Sequence, residues 1–466
     1  MNLLAQRSIL WHNAGMKSIS AFILALPLAV QGASSENPVT FNKQIAPIIY
    51  QNCSSCHRPG EAAPFALLSY NDVAKKAKTI ARVTASHQMP PWKAEPASYA
   101  YRDERRLAEE QITLIQKWVN DGMPEGSAAD KIEPPKFASG WQLGEPGLIV
   151  EMPAAYHVPA DGPDIYRNLA VPLGLTEDKW ITAIDMKPSA RTVVHHVLYF
   201  ADPRGVAHER APQGTEPGFN GMGAGGASVP LGGWAVGAQP HFFPEGLALK
   251  VPKGSDLVVQ YHFHPTGKPE AEKSVIGLYF AKQPPTRMMT RIQMPPDYSL
   301  FSGLDIPAGE KDFVIRDSYT LPVAVDGVGM SAHAHYIATQ LKMTATLPGG
   351  EVKTLLWIKD WDFAWQDKYY FQQLVPLPAG THLDAEIHWD NSADNPRNPT
   401  SPPVHVQWGE ETKDEMGSIS LVAVPHDEAD LAALRGDISQ REKKLVREKM
   451  QSDPVLARKV MQILGE

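Results

Sequence analysis

The chain changes its hydrophobic period twice. Between residues 38 and 126 the apolar positions recur at helical spacing. Ile45, Ile48 and Ile49 predict a helix that runs into Cys53, and Leu107, Ile112, Ile115, Trp118 and Val119 predict an amphipathic helix that closes the unit. From Trp141 to about Val424 the spacing shortens to alternating runs at 193–200, 257–263, 276–280, 340–347 and 419–424, which read as strands punctuated by Pro, Gly and Asp. That stretch is long for one sandwich and fits two. From His426 to Glu466 the pattern turns helical and charged, predicting a surface or packing helix pair without chemistry of its own.

Ahead of the first helix, Lys17 is followed by an apolar core over 18–30 and then by the small residues Gly32, Ala33 and Ser34. The core is too short to span a bilayer, so residues 1–33 are expected to be a secretory signal peptide, with Met16 offering a more compact start than Met1. No Cys follows the apolar run, which argues against a lipoprotein. No later run approaches membrane-spanning length, and the mature chain is expected in a bacterial periplasm or outside the cell, without a membrane span. Composition adds little. The 466 residues, 43% hydrophobic and 21% charged, leave room for about three globular units. A net charge of −8 gives no basic footprint for nucleic acid, while 41 Pro and 35 Gly suit many strands and turns.

Both cysteines fall in Cys53-Ser54-Ser55-Cys56-His57, the spacing of a c-type haem attachment site. Each thiol can bond to a haem vinyl group, which leaves the adjacent imidazole poised to bind iron axially. A zinc ribbon needs a second Cys pair, and a thioredoxin-like pair needs no trailing His. One covalent haem is therefore expected in a small α-helical cytochrome c domain over 36–128. Met89, in His87-Gln88-Met89-Pro90-Pro91-Trp92, is the leading candidate for the sixth iron ligand. His87 competes with it, and a haem with no sixth protein ligand is the third reading. Residues 129–144, which include Pro134-Pro135, read as a linker.

Three histidine clusters stand out in the β region: His195-His196, His262 with His264, and His333-Ala334-His335. Residues i and i+2 of a strand share a face, so His333 and His335 can bind one metal together. His195 and His196 face opposite ways on a regular strand and can share a metal only if the backbone bulges. Taken singly, each cluster is more often a set of surface or hydrogen-bonded core histidines. His157, His208, His241, His382, His388 and His405 have no partner at ligand spacing.

The order and neighbours of these clusters are similar to those of the copper type II, ascorbate-dependent monooxygenases, the family of peptidylglycine α-hydroxylating and dopamine β-monooxygenases. The landmarks are Lys187-Pro188, Thr192 to Phe200 around His195-His196, Trp234 to Gly237, Val259 to His262, Ala332 to His335, and Asp414-Glu415-Met416. The resemblance implies two jelly-roll-like sandwiches, expected at 145–290 and 291–425, followed by a helical tail over 426–466. It implies two coppers, one held by His195, His196 and His262, the other, catalytic one by His333, His335 and Met416. His264 lies on the same face as His262, and the family pattern favours His262. The implied activity is hydroxylation of an sp³ C–H bond of a small-molecule substrate with O₂, the electrons coming from the fused cytochrome, from ascorbate or from a redox protein. The peptide enzyme's carboxylate-gripping arginine, asparagine and tyrosine correspond here to Ser331, Ser418 and Ser420, so a neutral or differently anchored substrate is expected. The rival reading is a non-catalytic electron-transfer or copper-binding protein that keeps the ligands.

Overall fold

In the computed structural model the described residues are 38–454, apart from 62, 138–139, 211–215 and 221–227. The expected signal peptide and the end of the tail lie outside them. Most of the chain is sandwich-like antiparallel sheet, with few helices.

The N-terminal helical unit holds Ala46–Asn52, Tyr70–Ala85 and Glu109–Asn120. Ile45, Ile49, Val73, Ile80, Ile115 and Trp118 pack into its core. The first and last helices match the expected ones. The middle helix was not anticipated, because its buried stripe of Val73, Ala77, Ile80 and Thr84 is narrow and set among lysines. Its start is fixed by Ser69, whose hydroxyl accepts from the Asp72 N–H at 3.2 Å.

Two pairs of sheets follow. The first pair has five strands in each sheet. One sheet runs Leu148–Glu151, Val275–Phe280, Lys179–Lys187, Leu247–Val251, Arg287–Met288, the other Phe219–Asn220, Ile165–Pro172, Asp256–Phe263, Val194–Asp202, Val229–Ala235. Between them lie Ile181, Val197, Tyr261, Phe263 and Ile276. The second pair has four strands in each sheet: Thr290–Met294, Gly417–Pro425, Val325–Ala334, Lys368–Leu377 over Phe313–Thr320, His382–Trp389, Ala338–Thr346, Val352–Ile358. Leu341, Leu355, Ile387, Trp389 and Ile419 fill its core. Thr290 pairs with Ala423, so the second sandwich begins just before the expected boundary.

The stretch after Pro91 is not confined to the helical unit. Glu95 N–H donates to Trp357 O at 2.7 Å and Ser98 N–H to Thr354 O at 3.0 Å, along one sheet of the second sandwich. Arg102 N–H then donates to Tyr370 O at 2.7 Å and Gln372 N–H to Ala100 O at 2.9 Å, along the other. The segment thus laces the sandwich edge shut, and the buried Tyr101 ring stacks on Phe371 at 5.5 Å beneath it. Asp103 meets His241 at 2.8 Å and Glu61 meets Arg191 at 2.9 Å, which ties the same unit to the first sandwich.

Of the expected C-terminal helix pair, the described residues hold one helix, Leu431–Ser452. It lies against the second sandwich through buried Leu434 and a 2.9 Å bond from the Tyr319 hydroxyl to Asp437. No helix among the described residues is long and apolar enough to cross a membrane.

Candidate metal centres

His196 pairs with His262 across the ladder while Val194 pairs with Phe263, so His195 is an extra residue in its strand. That bulge turns both adjacent imidazoles to one side. The Nδ1 atoms of His195, His196 and His262 form a triangle with edges of 3.1, 3.1 and 3.3 Å. The opposite ring nitrogens are engaged in two cases. His262 Nε2–H donates to Asp164 Oδ2 at 2.8 Å, and His195 Nε2–H donates to Ala364 O at 3.2 Å. With the proton on Nε2, each of these two rings has an Nδ1 lone pair to turn toward the centre. In the metal-free protein a His196 Nδ1–H can be shared between these two lone pairs, and a cation at the centre would be held by all three rings. The centre of the triangle is about 1.8 Å from each nitrogen, close to the roughly 2.0 Å of a metal–imidazole bond. Burial holds His195 at about 4 and His196 well below the usual imidazole value, so these two rings are neutral near pH 7. Asp164 also accepts from His264 at 2.8 Å. Burial alone would raise its carboxyl, but these two histidines bring it down to about 2. His264 itself points away, with 63% of its side chain exposed.

The second cluster lies on the other sandwich. The His333 and His335 rings stand 5.4 Å apart and nearly perpendicular. His333 Nδ1–H donates to Gln366 Oε1 at 2.6 Å and His335 Nδ1–H to Asp414 O at 3.0 Å, so each keeps a lone pair on Nε2. Both Nε2 atoms are buried without a partner. Burial holds His333 at about 4 and His335 at about 3. Ala334 pairs with Gly417, and continuing that register sets Met416, 3% exposed, level with His335. Two orphaned imidazole lone pairs beside a buried thioether fit a soft metal ion.

Glu415 positions this cluster. Its carboxylate accepts from the backbone N–H groups of His335 (3.0 Å), Ile337 (2.9 Å) and Met416 (3.2 Å) and from Trp389 Nε1 (3.0 Å). Burial pushes its carboxyl up to about 8, against the pull of these four donors. A turn with Asp297, Tyr298 and Ser299 all at positive φ (46, 51 and 73°) sets the Tyr298 ring 5.4 Å from His333. Left-handed backbone costs roughly 1–2 kcal/mol per residue. The turn is held by Ser299 Oγ–H donating to Gly417 O at 2.7 Å and Trp408 Nε1–H to Tyr298 O at 3.1 Å.

One loop of the second sandwich touches both clusters. Phe363 lies 5.7 Å from the His195 and His262 rings and 5.8 Å from His335. Ala364 accepts from His195 and Gln366 from His333, while Trp361 Nε1–H donates to His335 O at 2.9 Å. Asp164, Glu415, Gln366 and Phe363 were not assigned roles from the sequence.

The Cys53–His57 turn closes the first helix. Both thiols are free, and burial pushes Cys53 up to about 12. His57 Nδ1–H donates to Phe65 O at 3.2 Å, which leaves Nε2 for an axial bond. A small cleft of about 60 Å³ runs from Cys56 to Trp234 and Gly237 of the first sandwich. Gly237 lines it with φ at +85°, a left-handed backbone that suits glycine. Two free thiols and an imidazole with an unengaged Nε2 are the donors that a covalent c-type haem would use. Met89 is half-buried, its N–H bonded to Val83 O at 3.0 Å, whereas His87 is exposed beside Glu109.

Ser331, Ser418 and Ser420 share the sheet face of His333, and Ser418 accepts from Gln293 Nε2 at 2.9 Å. Ser331 pairs on its other side with Lys368, whose Nζ reaches Gly233 O at 3.4 Å. A Cβ at Gly233 would meet Val197 O of the neighbouring strand at 2.4 Å and Lys368 Nζ of the second sandwich at 3.3 Å. His241 and His388 sit on Asp103 and Asp312, and His405 on Asp305, outside both clusters.

No family model matches the chain, and no curated protein matches it. Among solved structures it is similar to the VP2 subviral particle of infectious bursal disease virus, at 11% identity and a TM-score of 0.17, over 63% of this chain and 74% of that one. It is also similar to the major capsid protein P2 of bacteriophage PM2, at 11% identity and 0.20, over 56% and 97%. A third is PNGF-II, at 10% identity and 0.19, over 62% of each. Likeness at these scores carries no argument about function.

Proposed function

We propose that this chain is an exported, copper-dependent monooxygenase with a covalent c-type haem, hydroxylating an sp³ C–H bond of a small molecule. The observation that carries the reading is the pair of lone-pair clusters on adjoining sandwiches: three converging Nδ1 atoms on one, two orphaned Nε2 atoms level with a buried thioether on the other. Copper at these positions supplies one-electron chemistry and O₂ activation, and haem at Cys53, Cys56 and His57 supplies a further electron store.

The protein's own part is to prepare both sites. Neutral imidazoles need no deprotonation before metal binds. Asp164 holds His262 in the Nε2–H tautomer, and Gln366 and the Asp414 carbonyl do the converse for His333 and His335, which fixes which nitrogen faces the metal. The Met416 thioether favours Cu(I), the state that meets O₂. Phe363 packs its ring against histidines of both clusters. The N-terminal helical unit is read as a cytochrome c domain, with Met89 or His87 as the sixth ligand. The first thirty-three residues are read as an export signal to the periplasm or the medium.

The test is a count of metal and haem on protein made with c-type maturation and reconstituted with copper. Two coppers and one haem per chain are expected. His262→Ala should keep one copper and the haem, Met416→Ala should keep the triad copper but lose O₂-dependent turnover, and Cys56→Ala should lose the haem and keep copper. Copper lost together with haem, or no stoichiometric copper, would contradict the proposal.

A further inference from the structure

Residues 361–366 are hydrogen-bonded to both histidine clusters. The front of this loop is fixed to the second sandwich: Trp361 is buried, its N–H donates to Thr339 O at 2.9 Å, and its Nε1–H donates to His335 O at 2.9 Å. The middle reaches the first sandwich, where Ala364 O accepts from His195 Nε2–H at 3.2 Å. Two residues on, Gln366 Oε1 accepts from His333 Nδ1–H at 2.6 Å. The Gln366 amide is held in that orientation by the loop itself. Its Nε2–H donates to Phe363 O at 3.1 Å, which turns the oxygen toward His333.

Where His195 carries its ring proton depends on the metal. Without one, the neutral ring has two places for it: Nε2, where Ala364 O accepts, or Nδ1, which stands 3.1 Å from the Nδ1 atoms of His196 and His262. A cation held by the three Nδ1 atoms removes the second choice. The proton is then on Nε2 in every molecule, and the bond to Ala364 O is always available. That bond holds the middle of the loop and with it the Phe363 carbonyl that orients Gln366. Gln366 in turn keeps the His333 proton on Nδ1, which leaves the buried, unpartnered Nε2 for the second metal. The Phe363 ring, set against His195, His262 and His335, belongs to the same segment.

We propose that metal binding at the two clusters is linked through residues 361–366: a filled triad tightens the second site, and a filled second site tightens the triad by the same factor. The inference deepens the function proposed above and rests on its two metal sites. What the triad metal contributes is one hydrogen bond that the metal-free protein makes only part of the time, so the linkage is roughly two- to tenfold in affinity. When metal is scarce, the loop raises the share of chains with both centres filled over chains with one.

The test is a binding cycle on the full-length protein, titrated anaerobically with Cu(I) against a chromophoric chelator. The unsubstituted chain gives two stepwise constants, and His262→Ala and His335→Ala give one single-site constant each. The product of the first two over the product of the second two is the coupling factor. The cycle is repeated with Gln366→Leu in all three proteins, which keeps the triad ligands and cuts the loop from His333. Direct repulsion between the two cations is common to both cycles and cancels. The factor should be roughly two- to tenfold larger with Gln366 in place; equal factors would overturn the proposal. Hydrogen exchange gives a second readout that needs no second site. In His335→Ala, one equivalent of Cu(I) should slow the amides of residues 363–367, and unchanged exchange in protein that has bound the metal would also overturn it. Failure of His335→Ala to bind Cu(I) stoichiometrically would instead defeat the metal reading of the triad, and this inference with it.

Discussion

Replacing Asp164 by alanine removes the acceptor from His262 Nε2, in a side chain only 1% exposed. The ring then has two courses. It can keep its Nε2–H buried and unpaired, at a cost of roughly 1–3 kcal/mol. Otherwise it shifts the proton to Nδ1, where the lone pair must face the metal. At 1.4 kcal/mol per decade, that cost corresponds to roughly 5- to 150-fold in affinity. This brackets the 10- to 100-fold typical of losing the outer partner of a ligating histidine. Asp164→Asn retains an acceptor but loses the charge, so its loss should fall near the lower end, about tenfold. Competition against a chromophoric Cu(I) chelator, run anaerobically in a His335→Ala background, isolates the triad. Affinity in Asp164→Ala within twofold of its parent would refute the argument that this carboxylate sets the tautomer.

Acid should destabilise the metal-free protein. With His333 at about 4 and His335 at about 3, the unfolded chain takes up protons below about pH 6.5 that the folded one refuses, so stability is lost as pH falls from there toward 4. Urea titrations should show up to about 1.4 kcal/mol lost per pH unit for each histidine in that window, and flat stability would contradict it. Because the helical unit is bound to both sandwiches, reduced haem mixed rapidly with O₂ and substrate should oxidise at a rate independent of protein concentration; a linear rise would indicate an external or intermolecular donor. N-acylglycines should be poor substrates. The nearest cation to Ser331 along its row is Lys368, one strand or about 4.8 Å away and turned to Gly233 O, whereas a misplacement of about 1 Å can cost on the order of 100-fold. Conversion of an N-acylglycine as fast as the best substrate found would overturn this.

The strands of His195-His196 and His262 were legible as short apolar runs, and the His333–His335 pair because a strand repeats every two residues, although the strand Val325–Ala334 leading into it was not among those read. The bulge at His195 was a requirement rather than a reading, since nothing in Val194-His195-His196 marks a shift of register. Asp164 was invisible: it reaches His262 from 98 residues away, through pairing that only the folded sheet creates. The loop with Phe363 and Gln366 carries no periodicity and no metal-binding residue type, yet it contacts both clusters. Residues 92–106 fall inside the expected cytochrome c domain over 36–128. Their backbone bonds go largely to the second sandwich, in runs too short to show a strand pattern.

The claim that these clusters serve an oxygenase is tested most directly by labelled dioxygen. Fully copper- and haem-loaded protein, reduced anaerobically, is exposed to ¹⁸O₂ with a chemically diverse set of C–H compounds, and products are read by mass spectrometry. The account predicts one ¹⁸O atom in a hydroxylated product and the other in water, with Met416→Ala giving no labelled product. Consumption of ¹⁸O₂ to water or peroxide without any labelled organic product, across the whole set, would contradict it and favour a protein that binds copper and transfers electrons only.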